Sequence, residues 1–265
     1  MQVLVTGASG GIGLAVCKYL VKNGVSVYAT DVVKGNFDLQ GATFLEMNVT
    51  DESQMKGVFE TLKNEGVVLD AIINIAGIFV IDSFIEIDEK TVKKLFDVNF
   101  MGAVLVNKTF HPLLKKDGRI IITTSEVAPL DPLPFNGIYS VSKSALDAYA
   151  QALRQELNLL GQKVITVRPG AFNTSLAQGS LVKTKELTDK TVLYKKQSVK
   201  FYGLVKMFMG TPSNPDKIAK IYYKAITKKR PKIIYKKHIN PLLKLMNILP
   251  KRMQCFIVKS LLKTK

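Results

Sequence analysis

The chain has no tryptophan and only two cysteines, Cys17 and Cys255, far apart in its 265 residues. Two distant thiols make neither a disulfide framework nor a cysteine zinc site, which fits a reducing compartment. Long apolar runs are lacking too. The longest, Ile72 to Ile81, is broken by Asn74 and Gly77 and is too short for a membrane span, which needs roughly 18 apolar residues. Met1-Gln2-Val3-Leu4-Val5 has no basic start and opens no long apolar core, so no secretory signal is read there. The two histidines, His111 and His238, have no second ligand at metal spacing, and no metal site is expected.

Acid is scarce in one region only. Residues 183–265 hold 22 Lys and Arg against three acids, Glu186, Asp189 and Asp216. Residues 1–182 are close to neutral, with 16 Lys and Arg against 18 acids. A neutral body with a basic C-terminal third suits an anionic surface, nucleic acid or lipid headgroups. The plainer alternative is lysine-rich solvated faces. What is present suits a folded domain: 47% of residues are hydrophobic and 22% charged, which excludes a disordered or collagen-like chain.

Strand-like and helix-like segments alternate. Val3-Leu4-Val5 is a short strand running into a glycine-rich turn, and Ile12 to Val21 reads as a helix stopped by Asn23-Gly24. Further strands are read at Val25 to Ala29, Thr43 to Met47, Ala71 to Ile73, Arg119 to Thr123 and Val164 to Val167. Helices are read from about Asp51, over Glu89 to Leu114, and over Tyr139 to Leu160. The alternation implies an α/β fold, a Rossmann-type doubly wound parallel sheet with helices on both faces. Residues 171–210 lose the pattern and read as an irregular lid or binding loop. Pro215 to Thr227 is a further helix and Ile233-Ile234 a short strand. Two C-terminal amphipathic helices, about Pro241 to Leu249 and Lys251 to Leu262, follow. The expected division is 1–234 as the dinucleotide-binding and catalytic domain, with 171–210 as its lid, and 235–265 as a basic extension.

Several residue sets carry chemistry. Thr6-Gly7-Ala8-Ser9-Gly10-Gly11-Ile12-Gly13 lies at a strand-to-helix turn. Glycines there let the backbone approach a pyrophosphate, which the helix N-terminus then favours. Asp31 ends the second strand, where a carboxylate accepts ribose hydroxyls and repels a 2′-phosphate. NAD is therefore expected over NADP. Tyr139 and Lys143 sit one helical turn apart, so phenol and ammonium share a face. A cation beside the phenol would lower its pKa toward acid/base use. Ser125 stands just past a strand, at the sheet edge where ligands of open α/β folds bind.

These motifs, in this order, resemble the short-chain dehydrogenase/reductase family, single-domain branch, over roughly residues 1–234. The resemblance implies a catalytic set of Asn99, Ser125, Tyr139 and Lys143. It implies cofactor contacts from Gly7, Ser9, Gly11, Ile12, Gly13, Asp31, Asn48, Val49, Asn74, Ala76, Gly77, Tyr139, Lys143, Pro169, Gly170 and Thr174. Ser125 would orient the substrate oxygen and Tyr139 would exchange its proton. Lys143 would depress the Tyr139 pKa and hold ribose hydroxyls, and Asn99 would position a relay water. Asn48 departs from the usual aspartate, and its carbonyl would meet the adenine amine. Ile75 replaces a second asparagine. Glu126 follows Ser125 where a small residue is usual, and the sequence gives no account of it.

Arg230-Pro231-Lys232-Ile233-Ile234-Tyr235 and the basic helices after it are similar to family members related to steroid and retinol dehydrogenases. The expected substrate is a lipophilic secondary alcohol or ketone. A homo-oligomer is expected, and the expected location is the cytoplasm. In the tail, Leu242, Leu245, Met246 and Leu249 recur at helical spacing, as do Met253, Phe256, Ile257 and Leu261, among Lys244, Lys251, Lys259 and Lys263. Such stripes suit an anionic membrane surface, or else they wall the substrate pocket or a subunit interface. Two other classes stay open: a non-catalytic dinucleotide sensor and a nucleic-acid-binding protein, the latter disfavoured because the basic segment has no zinc-finger spacing or RNA-stacking motif and its apolar faces are lipid-like.

Overall fold

The computed structural model describes residues 1–35, 37–173, 175–208 and 213–263, apart from the side chains of 175–178 and 208. Among them, seven strands form one parallel sheet. They are β1 (Gln2–Thr6), β2 (Ser26–Asp31), β3 (Ala42–Glu46), β4 (Leu69–Asn74), β5 (Leu114–Thr123), β6 (Lys163–Pro169) and β7 (Ile234–Lys237). Their order across the sheet is β3-β2-β1-β4-β5-β6-β7. The chain winds outward one way from β1 and then restarts on its other side at β4. The carboxyl ends of β1 and β4 thus flank the switch point, where this architecture opens a crevice.

Alternation of side chains explains why both faces are covered. Val3 and Val5 point into one core layer with α1 (Gly11–Lys22) and α8 (Asp216–Thr227). Leu4 points into the other, with α2 (Glu52–Asn64), α4 (Gly102–Phe110) and α5 (Gly137–Asn158). A strand buried on both sides has no polar face, hence the near-continuous apolar runs. Local stops follow from chemistry. Gly24, at φ 73°, lets the chain leave α1 while its N–H reaches the Val21 carbonyl. Asp51 caps α2, accepting from the Ser53 and Gln54 amides.

Four features differ from the sequence reading. The stretch expected as one helix over Glu89–Leu114 is α3 (Glu89–Phe96), a π-helical turn at Asp97–Met101, α4 and a short 3₁₀ turn. The strand expected from Arg119 starts at Leu114, past an irregularity opposite Leu69 and Ala71. The strand at Ile233-Ile234 is β7 and runs to Lys237, pairing in parallel with Thr166 to Pro169. The 171–210 segment, expected to be irregular, contains two helices, α6 (Ser175–Lys190) and α7 (Lys195–Phe208). Its helical stripe was masked by lysines, most of which fall on exposed faces, while Lys183 turns in to donate to the Phe79 carbonyl.

The lid is tied down by acids of the loop after β4. Glu86 accepts from the backbone amides of Val192 (2.7 Å) and Leu193 (3.0 Å), and Asp82 pairs with Lys190. Phe135 anchors the same region by edge-to-face contacts with Tyr194 and Phe201, at centroid distances of 5.4 and 5.1 Å. The helices α9 (Pro241–Ile248) and α10 (Lys251–Leu262) then lie beside the lid, α10 against α7.

Candidate active site

The glycine turn after β1 is held close to β4. Gly7 has φ 69°, and a Cβ there would stand 2.7 Å from the Ala76 amide nitrogen. A Cβ on Gly13 would stand 2.0 Å from the Gly7 carbonyl oxygen. No side chain can occupy either position, so bare backbone faces the crevice. α1 starts at Gly11 with no side-chain cap from Gly10, which leaves its first amides for an anion. Gly7, Gly11, Ile12 and Gly13 all line the crevice. A pyrophosphate fits this cradle.

Asp31 stands at the end of β2 beside the turn. Its Oδ2 accepts from the Ser9 amide at 2.9 Å and its Oδ1 from the Val32 amide at 2.8 Å. Each oxygen keeps acceptor capacity for a ribose hydroxyl. Ser9 was expected among the cofactor contacts. Its hydroxyl instead donates to the carbonyls of Val33 (2.9 Å) and Lys34 (3.1 Å), bracing the loop behind Asp31. Asn48 and Val49 line the crevice, but the Asn48 carbonyl is engaged. It accepts from the Thr50 amide (3.0 Å) and hydroxyl (2.9 Å). What Asn48 can offer an adenine is its NH₂ group rather than the expected carbonyl. Asn74 does not reach the crevice either. It is buried and donates to Asn107 Oδ1 at 2.8 Å.

The reacting end lies past the carboxyl ends of β4, β5 and β6. Ser125, Tyr139 and Lys143 line it together with Ala76, Gly77, Pro169 and Gly170. Thr174 lies outside the described residues. The partly buried ion pair between Arg168 and Asp147 (2.5 Å) ties the end of β6 to α5, the helix that carries Tyr139 and Lys143. Asn99 sits behind this surface on the π-helical turn. Its Oδ1 accepts from the Ile78 amide at 2.7 Å, and its Nδ2 donates to the Ile78 carbonyl at 3.0 Å and to Ser142 Oγ at 3.1 Å. It therefore shapes the backbone after Gly77. A Cβ on Gly77 would stand 3.1 Å from Asn99 Oδ1 and 3.2 Å from Lys143 Nζ.

Burial governs the electrostatics. Lys143 is 4% exposed, and desolvation pulls its pKa down to about 8. Burial pushes the Tyr139 phenol up to about 12, while its hydrogen bond with Ser125 pulls the other way and the Glu126 carboxylate adds to the rise. Burial thus outweighs the lowering of the Tyr139 pKa expected from Lys143, whose ammonium donates to the Thr123 carbonyl at 3.3 Å. Tyr139 is further fixed by an edge-to-face contact with Phe79, 4.7 Å between centroids.

A family model described as short chain dehydrogenase matches residues 1–185. The chain belongs to the short-chain dehydrogenase family. It is 34% identical over 245 residues to a rat (Rattus norvegicus) estradiol 17-beta-dehydrogenase 2, covering 81% of this chain and 61% of that protein. This chain thus spans about three fifths of that relative's length. It is 27% identical to a 3-ketodihydrosphingosine reductase of Bacteroides thetaiotaomicron, covering 92% and 89% of the two chains. In fold it is similar to a short-chain dehydrogenase from Streptomyces avermitilis, with a TM-score of 0.76 at 22% identity over 98% of this chain and 96% of that one.

The cleft of about 1240 Å³ runs from the glycine turn past Tyr139 to a second, apolar end. That end matches the alternative reading of the tail stripes, as a wall of the pocket. Phe79, Phe201 and Leu204 line the cleft together with Leu243, Met246 and Leu261 of the C-terminal helices. Glu126 also lines the cleft, and burial pushes its carboxyl up while the Asn240 amide and His238 pull it down. The signal for Glu126 was its departure from the family's usual small residue.

Proposed function

We propose that the protein is an NAD-dependent oxidoreductase that interconverts a secondary alcohol and a ketone on a lipophilic substrate. The observation that carries this is the joining of two ends in one cleft. Ser125, Tyr139 and Lys143 line it between a dinucleotide cradle and an apolar chamber lined by lid and tail residues. Bound NAD would supply the hydride acceptor or, reduced, the donor. Gly7, Gly11, Ile12 and Gly13 would hold its pyrophosphate, Asp31 the adenosine ribose, Asn48 and Val49 the adenine, and Ala76, Gly77, Pro169 and Gly170 the nicotinamide end.

The chain's own residues would then act on one oxygen. The Ser125 hydroxyl orients the substrate oxygen beside the Tyr139 phenol. Tyr139 takes the hydroxyl proton in oxidation and returns one to the oxygen in reduction. Lys143, dry and close to Gly77, binds ribose hydroxyls with an ammonium that burial has made easy to deprotonate. Asn99 supports this by fixing the Ile78 backbone. Asp31 favours NAD, since its carboxylate repels a 2′-phosphate and Lys34 is turned to solvent.

Two relatives of differing substrate share the lipophilic theme by name, one an estradiol dehydrogenase and the other a ketodihydrosphingosine reductase. The tail suggests how such a substrate arrives. α9 and α10 turn some apolar residues into the cleft and leave Leu245, Ile248, Met253 and Phe256 exposed, Ile248 by 72% and Phe256 by 69%. Lys244, Arg252 and Lys259 are exposed on the same two helices. This mixed surface suits anionic lipid headgroups over nucleic acid, which offers no apolar layer. No helix among the described residues is long and apolar enough to cross a membrane, so the proposed contact is peripheral. The deciding experiment is a panel of sterols, retinol and fatty alcohols with NAD and NADP, read as absorbance of the reduced cofactor. Tight NAD binding without turnover of any alcohol or ketone would replace the enzyme reading with the sensor reading.

A further inference from the structure

The loop between β5 and α5 carries Ser125 and, next to it, two carboxylates that face the basic tail. Glu126 Oε2 accepts the Asn240 amide at 2.6 Å. Asn240 is the N-cap of α9, its side chain accepting from the Leu242 amide at 2.9 Å. Glu126 is itself fixed, because its amide donates to the Pro169 carbonyl at 2.8 Å. Just before Asn240 the chain crosses over Gly170 so closely that a Cβ there would stand 1.8 Å from the His238 carbonyl oxygen. His238 takes a left-handed φ of 58° to make that crossing.

Asp131 grips the far end of the same helix. Its amide donates to Asn247 Oδ1 at 3.3 Å, and its Oδ2 accepts from Asn247 Nδ2 at 3.2 Å and from Gln254 Nε2 at 2.9 Å. Lys251, the first residue of α10, completes the cluster by pairing with Oδ1. Neither α9 nor α10 has a fully buried residue. Core burial therefore contributes little to their placement, and polar contacts of this kind set it. Yet these helices put Leu243, Met246 and Leu261 into the cleft.

We infer that Glu126 and Asp131 are positioning residues that clasp the C-terminal helices over the cleft, making the tail the wall that reads the part of the substrate remote from its reacting carbon. The loop that carries the catalytic serine thereby also fixes the specificity wall. The kinetic side of this inference rests on the proposed oxidoreductase reading, whereas its structural side does not.

The test uses the full chain with Glu126→Ala, Asp131→Ala, the double variant and Glu126→Gln. Hydrogen exchange followed by mass spectrometry reads the clasp without any activity. In the double alanine variant, peptides from residues 241–262 should exchange about tenfold faster or more, while those from α1 and β4 keep their rates. Glu126→Gln, which keeps an acceptor oxygen for the Asn240 amide, should stay near wild type. Kinetics with a long lipophilic alcohol should show KM raised about tenfold in each alanine variant, with kcat changed much less in Asp131→Ala, and KM restored in Glu126→Gln. A short secondary alcohol that does not reach the tail should show a smaller rise. Wild-type exchange of 241–262 in the double variant would overturn the clasp. Equal KM increases for long and short substrates would overturn the specificity role. Absence of turnover on every substrate with normal exchange changes as described would retire the oxidoreductase reading and leave the clasp standing.

Discussion

Lys143 donates to the backbone carbonyl of Thr123 across 3.3 Å, at the point where β5 ends and the loop that carries Ser125 begins. That carbonyl offers a hydrogen bond but no countercharge. A buried ammonium so placed is costly, and its pKa falls to about 8 from 10.5. Between those values the unfolded chain keeps the proton that the folded chain has released. Stability therefore rises with pH from about 8 to about 10.5 and carries the full cost of the charge below 8. Lys143→Met should be more stable than wild type at pH 7 by about 1–3 kcal/mol, an advantage that fades toward pH 10.5. Urea unfolding at pH 7 and pH 10 measures both points, and the same variant should lose turnover and bind NAD more weakly.

Tyr139→Phe should lower turnover by roughly 10²–10⁴-fold or more, the usual range for a lost acid/base group. Cofactor affinity should stay close to wild type, because the phenyl ring keeps the contact with Phe79. Steady-state kinetics and a fluorescence titration with NAD separate the two effects. Full activity in this variant would sink the mechanism.

Asp31→Ala should weaken NAD binding by about 10–100-fold, the scale of a hydrogen bond to a charged group. Two causes add: the ribose loses its acceptor, and the Ser9 amide loses the carboxylate that holds the glycine turn. NADP binding should change less, so that the preference between the two shrinks. Titration of both cofactors into both proteins decides it; tighter NADP binding by the wild type would refute the assignment.

Vesicles rich in anionic lipid should sediment the protein at low salt and release it at high salt, while neutral vesicles should not bind it. Each basic residue near such a surface is worth about 1 kcal/mol. Replacing the exposed Ile248 and Phe256 together by serine should weaken the binding without unfolding the protein, since neither side chain is in the core. A truncation to test the tail has to follow His238, because β7 ends at Lys237 and removing it would strip the edge of the sheet.

The parallel sheet was legible because its strands are apolar on both sides and its turns carry glycine where no Cβ fits, as at Gly7 and Gly13. That Tyr139, Lys143, Ser125 and Asp31 line one cleft was legible from their places at strand ends and one helical turn apart. What stayed hidden depends on contacts distant in sequence. Ser9 and Asn74 look like ligand contacts until Val33, Lys34 and Asn107 are seen to engage them. The rise of the Tyr139 pKa belongs to burial, which no spacing reports. Glu126 and Asn240 are 114 residues apart, so no local pattern could pair them.

β6 and β7 lie side by side in the sheet, yet residues 170–233 run between them. Everything that shapes the apolar chamber from the lid side is thus one excursion from a fixed pair of strands. The entropy of closing such an excursion grows only slowly, by about 0.6 kcal/mol for each doubling of its length. Insertions and deletions in the lid are consequently cheap for the sheet. The part of this crossover before α8 can therefore change length and lining at small entropic cost, giving new chamber shapes while α8 and the strand ends stay in place.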